Sequence, residues 1–251
     1  MLRILAALCL LAAPAAAKEL HVLTGAGMTS AVRALAADFG KETGIDVSVV
    51  GDTSAGVRRR MEAGEKYDLV IGPTAMMDAL SGEHLVAVQH HALARMVAGL
   101  ALKKGQPMPD LSTAAAFRDL LRNASSIAYV DPAQGGITGV FFLAQADRLG
   151  VGEHVRARAV LQASGGAVAD AVADGAAQCG VTLVSEMLPN KDVSVWPLPD
   201  AVQMTTIYAA ALAADAQNAL DAARLLDTLS GEKGRDTARA AGLQPVSPLN
   251  R

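Results

Sequence analysis

The chain has 251 residues, 51% of them hydrophobic and 19% charged, which is enough apolar material for a full core and excludes a disordered chain. Its formal net charge of -3 leaves no electrostatic footprint for DNA or RNA, so no nucleic-acid partner is expected. Aromatic residues make up only 3%, with Trp196 the single tryptophan, which argues against sugar-stacking platforms and single-strand nucleic-acid grooves.

Residues 1–17 read as a secretory signal peptide. Arg3 supplies a positive charge, Ile4–Ala13 an apolar run, Pro14 a break, and Ala15-Ala16-Ala17 the small residues that precede cleavage before Lys18. The run is too short to span a bilayer, so a soluble periplasmic chain is expected. Cleavage removes Arg3 and Cys9, moving the net charge from -3 to -4 and leaving Cys179 without a disulfide partner. Its neighbours read as the lead into a buried strand, and Cys179 is expected to be a small core residue.

Leu20–Thr24 reads as a strand, and Gly25-Ala26-Gly27 turns the chain. Met28, Val32, Leu35, Ala36 and Phe39 then recur at helical spacing until Gly40 and Gly44. Ile45–Val50 is a β-branched strand, Thr53-Ser54 sits where an N-cap belongs, and a second helix through Val57–Met61 ends at Gly64. Asp68–Gly72 is a third strand. These closely spaced strand–helix units predict a parallel sheet covered on both faces.

Ala94–Leu102 is an extended apolar stretch, and Gly105–Pro109 interrupts the pattern. A second set follows: a helix over Phe117–Leu121, a strand over Ser126–Val130, and a helix opened by Gln134–Gly139 that runs to Leu149. Ala159–Leu161 is a short strand before Ser164-Gly165-Gly166; Ala167–Ala173 is helical and Cys179–Val184 is the next strand. Trp196–Pro199 ends this set, Thr205–Ala213 is extended, and helices over Ala219–Leu229 and Glu232–Ala241 complete the chain.

One device recurs, at Gly25–Thr29, Asp52–Gly56, Gln134–Gly139 and Ser164–Gly166: a strand ends, a Gly/Ser/Thr cluster turns, and a helix begins. The first turn of a helix carries free N–H groups and partial positive charge, glycine admits a ligand close to that backbone, and a hydroxyl adds a donor. Such turns at the carboxyl ends of parallel strands form a nest for an anion without a formal counter-charge. Of Arg58-Arg59-Arg60, only one can face a cleft, and Arg58 is the candidate; Tyr208 is expected to pack, with a reach into the cleft from the crossing segment as the lesser reading, and His90-His91 to be solvated.

Other chemistries match less well. Gly25-Ala26-Gly27-Met28-Thr29-Ser30 imitates a dinucleotide fingerprint, with Asp52 as the ribose acid, but Ser30 replaces the third glycine. A nucleotide-dependent oxidoreductase is therefore a minor alternative. Asp52–Gly56 lacks the first glycine of a nucleophile elbow, and no His, Cys or carboxylate spacing makes a metal site.

Leu23–Thr29, Gly44–Val47, Asp52–Gly56, Glu62-Ala63-Gly64, Asp68–Ile71, Asp131-Pro132, Gly136–Gly139 and the tail segments Tyr208–Ala211, Ala222–Leu226, Leu229-Ser230-Gly231 and Gly242–Pro245 follow one another in a familiar order. In this the chain resembles the periplasmic molybdate-binding-protein family, solute-binding components of ABC importers. The resemblance implies an α/β, two-lobed type II periplasmic binding protein fold, each lobe a mostly parallel sheet flanked by helices, with two crossing segments. Lobe 1 would take residues 18–98 plus 207–251, and lobe 2 residues 99–206. The expected ligand-binding residues are Ala26, Gly27, Met28, Thr53, Ser54, Gln134, Ile137, Thr138, Gly165 and Gly166, with Arg58, Leu183 and Ser185 as further candidates.

Two positions depart from the family pattern: Gly27 stands in place of a first-turn serine and Leu183 in place of a tyrosine. Each lost charge-assisted bond is worth roughly 1.5–3 kcal/mol, so a more open site for a small organic carboxylate competes with an oxyanion such as molybdate. The implied function is delivery of a small anion to an ABC permease in the inner membrane by a monomer that needs no cofactor or metal and performs no chemistry. A ligand receptor for a sensor or a non-ABC carrier is the alternative.

Overall fold

The computed structural model describes residues 19–86 and 90–246, so the signal peptide expected at 1–17 lies outside the described residues. β1 (Glu19–Gly25) sends Leu20 and Val22 to one core and Leu23 to another, the alternation that a strand imposes. A single 3-10 turn over Ala26–Met28 leads into α1 (Thr29–Thr43), which buries Val32, Leu35 and Phe39. Gly44 ends that helix with φ 72, and its N–H returns to the Gly40 carbonyl. β2 (Asp46–Asp52), α2 (Ser54–Glu62), β3 (Leu69–Pro73) and α3 (Thr74–Leu80) complete the first set.

β4 (His91–Lys103) leads to α4 (Ala114–Asn123), β5 (Ile127–Val130), α5 (Ile137–Arg148), α6 (Gly152–Ala157) and β6 (Ala159–Gln162). Next come α7 (Gly165–Ala173), β7 (Cys179–Leu183), α8 (Val184–Met187) and β8 (Val193–Pro197). β9 (Thr205–Leu212), α9 (Ala219–Ser230), α10 (Glu232–Ala240) and β10 (Gln244–Pro245) end the described chain.

The strand order is β2-β1-β3-β9-β4-β7-β5-β6, with β8 and β10 also paired to β4. β1 pairs in parallel with β2 and β3, and β5 in parallel with β6 and β7, the arrangement expected of strand–helix units. β4 joins the two halves. Its Ala94–Val97 segment pairs antiparallel with β9, and its Ala98–Leu102 segment antiparallel with β7. β9 returns antiparallel to β3, from Leu69↔Leu212 to Pro73↔Tyr208. These antiparallel strands pass between the halves directly, with no helix to reverse their direction.

Each half is packed on both sheet faces. In the first, Leu35, Phe39, Leu225 and Leu229 cover one face and Val57, Met61, Met77 and Leu80 the other. In the second, Phe117, Leu121 and Phe142 cover one face and Val168, Val172 and Met187 the other. His90 departs from the solvated placement expected of it: its side chain is only 16% exposed, with Nδ1 3.2 Å from Asp78 Oδ1, because α3 folds back beside the start of β4. No helix among the described residues is long and apolar enough to cross a membrane.

Candidate functional site

Parallel strands place their carboxyl ends on one edge, and the helices that follow begin there. All four recurring turns reach one hollow on that edge. Ala26 comes from the end of β1, Thr53 and Ser54 from the start of α2, Gly136, Ile137 and Thr138 from the start of α5, and Ser164 and Gly165 from the start of α7. Val130, Leu183, Glu186 and Tyr208 complete the wall of a narrow hollow. Among the described residues no lysine or arginine lines it. Attraction for an anion there can therefore come only from the helix starts, and donors only from hydroxyls and backbone N–H groups.

Thr53 is the N-cap of α2. Its Oγ1 accepts from Gly56 N at 3.0 Å and donates to the Gln134 carbonyl at 3.1 Å, across to the other half of the molecule. That contact engages its only proton. Ser164 caps α7 in the same manner, accepting from Ala167 N at 3.3 Å. Close by, Gly135 lies at φ 73 with its α-carbon so near Ala55 that a side chain there would overlap the Ala55 methyl. The two halves are thus clasped at one rim of the hollow.

Tyr208 projects from β9 and is 2% exposed. Gly25 makes room for it, since a Cβ there would stand 2.6 Å from Tyr208 Cε1. Its hydroxyl pairs with the side chain of Ser54. Burial, and then the nearby Glu186 carboxylate, push the phenol well above its ordinary range despite the Ser54 hydrogen bond, so Tyr208 keeps its proton.

Glu186 is the third residue of α8 and lines the hollow from the second half. It accepts from Thr182 Oγ1 at 2.6 Å and from the Leu183 backbone N–H, as an N3 glutamate does in a capping box. Thr182 Oγ1 also lies 3.2 Å from Thr138 Oγ1. Thr182 has one proton and the shorter contact takes it, which leaves Thr138 the donor in the longer one or toward a ligand. Gly165 is necessary here, because any Cβ would overlap Glu186 Oε2. Burial raises the Glu186 carboxyl above its ordinary value, and the two hydrogen bonds only partly offset it.

Of the residues expected to bind, Ala26, Thr53, Ser54, Ile137, Thr138, Gly165 and Leu183 line the hollow. The others do not line it. Gly27 lies behind the wall, where a Cβ would stand 2.6 Å from Met96 Sδ and 2.7 Å from Leu183 Cδ1. Met28 is a core residue at 2% exposure. Gln134 offers its carbonyl to Thr53, Gly166 sits one residue beyond the lining, and Ser185 is buried with its hydroxyl unpartnered. Arg58 turns away along its own helix to Glu62, Nε to Oε1 at 2.6 Å. Sequence reasoning missed Glu186, while Tyr208 both packs in the first half's core, as expected, and reaches the hollow, the lesser of the two readings. A lone glutamate in a four-residue helix has no periodicity to mark it, whereas glycine at both Gly25 and Gly165 was a visible trace of close approach.

Similarity to known proteins follows the fold. The chain is 30% identical over 237 residues to an aconitate isomerase from a Pseudomonas species, covering 90% of this chain and 88% of that protein. A name that is an enzyme's overturns the expectation that this chain performs no chemistry. Among solved structures, the periplasmic molybdate-binding protein of Azotobacter vinelandii superposes with a TM-score of 0.75 at 20% identity, covering 91% of this chain and 99% of that one. The substrate-binding protein of an ABC transporter from Agrobacterium tumefaciens gives 0.69 at 18% identity, covering 93% and 82%. These two likenesses support the two-lobed α/β fold. The sequence profile of bacterial extracellular solute-binding proteins matches residues 20–244, and the chain belongs to that family.

Proposed function

We propose that the chain holds a small organic polycarboxylate in the hollow between its lobes and interconverts the cis and trans isomers of aconitate. The observation that carries this reading is the meeting of helix starts and hydroxyls from both halves on one cation-free hollow, in a chain 30% identical to an aconitate isomerase. Carboxylates suit such a lining, since each oxygen accepts from N–H and O–H donors. A fully deprotonated tetrahedral oxyanion suits it less well. The Thr53 proton is engaged and Leu183 presents an alkyl wall, which leaves few donors arranged around a compact tetrahedral group. The lobes divide near residues 98 and 207, and residues 1–17 direct export to the periplasm before they are removed.

The test uses the chain from Lys18 onward. Proton NMR of its mixture with either aconitate isomer should show conversion to the other, and calorimetry should give heat with aconitate and none with molybdate. Absence of conversion would overturn the isomerase reading, with or without heat on adding aconitate. A second reading, capture for an ABC permease, draws on the transporter protein among the structural neighbours. Tight aconitate binding without conversion would favour it.

A further inference from the structure

We infer that Glu186 moves the proton in this isomerisation, taking it from the methylene carbon of bound aconitate and returning one to the vinylic carbon on the other side of the central carbon. The inference rests on the reading of the hollow as an isomerase site. Glu186 is the one carboxylate among the lining residues, and its other ionisable neighbour there, Tyr208, is held protonated by burial. Gly165 leaves Oε2 lying over the start of α7, where a ligand carboxylate meets free N–H groups. A carboxylate held there places the adjoining methylene beside Oε2. Thr182 fixes the side chain's direction through its 2.6 Å bond, while Tyr208 and Ser54 face it from the other lobe and can hold a second ligand carboxylate.

The step balances within the substrate. The methylene C–H bond breaks, its proton goes to Glu186 and its electron pair becomes a new C=C bond. The old π pair takes a proton from Glu186 at the far carbon, so methylene and vinylic carbons exchange roles, and the conformation in which the methylene–central carbon single bond is bound, before its proton leaves, sets cis or trans in the product. Nothing is oxidised or reduced, and the glutamate ends as it began. Burial, which keeps its carboxyl above the ordinary range, brings its basicity closer to what a neutral-pH general base needs.

Few charges face this group. The 3-10 turn over Ala26–Met28 and β8 carry no titratable side chain, and β4 meets α8 at Gly99, four residues from Arg95 and from Lys103 and eight from His91. On α7, Asp170 is bonded to Asn190 at 2.8 Å, and on β7 Cys179 is at the far end. Tyr208 on β9 is the titratable group with a charge interaction toward Glu186.

Glu186→Gln keeps the shape and removes the base. Isomerisation should fall by about 100-fold or more, while aconitate binding by calorimetry stays within about fivefold. An E186Q protein that retains a third of wild-type turnover would refute the inference and leave the isomerase reading intact. A wild-type protein that binds aconitate without converting it would refute that reading and this inference with it. Should E186Q fail to show a native circular-dichroism spectrum, Thr182→Val takes its place. Losing the hydroxyl that favours the ionised glutamate should move the acidic limb of the kcat/KM profile to higher pH, and an unmoved limb overturns the inference.

Discussion

At Cys179 the surroundings decide the chemistry of a side chain. The thiol is 1% exposed in the core of the second lobe, and burial pushes it up to about 12. The thiolate is the reactive species, so Cys179 should be inert in the native protein. A disulfide reagent at pH 8 should label less than about a tenth of the thiol in buffer and all of it in strong denaturant. Glu186 has the opposite exposure to ligand and a different consequence for stability. Its folded value is raised above the ordinary 4.5, so its contribution is fully present below about pH 4.5 and is lost as pH rises through the folded value. Glutamine imitates the neutral form. The Tm of E186Q relative to wild type should therefore climb between pH 4 and pH 8, and a pH-independent difference would show that burial does not penalise the charge.

Among the elements, Asp68 is where one side chain ties several together. It is 2% exposed, and its carboxylate accepts from His21 N at 3.0 Å and Asn218 N at 2.8 Å, linking β1 to the start of α9. Its backbone N–H donates to the His21 carbonyl and its carbonyl accepts from Ala213 N. Asp68→Asn would turn one acceptor oxygen into a donor facing a buried N–H and should cost about 3 kcal/mol in urea unfolding, with isomerisation at saturating aconitate little changed. Elements with strong periodicity were legible in the sequence: α1, α5, α9 and β4 fall within a few residues of their expected ranges. The short α6, α8 and β8 were not, because four to six residues carry too few repeats to declare a period. The helix starts of the site were legible for a related reason. Gly, Ser and Thr mark caps locally, whereas the companionship of Glu186 and Tyr208 arises from β7 and β9 flanking β4, a pairing more distant in sequence than any window reads.

Under the proposed function, the decisive event for the whole molecule is closure of the lobes on aconitate. Beyond β4 and β9, Leu183 and Leu188 of the second lobe pack against Gly27 and Gly242 of the first, whereas at this rim the contact seen among the described residues is the Thr53 to Gln134 hydrogen bond and the touching pair Ala55 and Gly135. Neither contributes a large apolar area, so opening at this rim is inexpensive, and the ligand's bonds to both lobes are what favour the closed form. Ala55→Leu tests this without disturbing a backbone, since Ala55 is the second residue of α2 and leucine is a good helix former, whereas any residue at Gly135 would also meet a strained φ of 73. The added isobutyl group has no space against Gly135 and must hold the rim apart. If closure is thereby disfavoured by about 1.4 kcal/mol, the competent fraction falls and the apparent Kd for aconitate rises about tenfold. Unfolding of the free protein should be nearly unchanged, because the group projects into solvent when the cleft is open, and small-angle scattering with saturating aconitate should show less compaction than in wild type. An A55L protein that binds aconitate as tightly as wild type would mean that the ligand is held by one lobe alone, and that the clasp between Thr53 and Gln134 has no part in its capture.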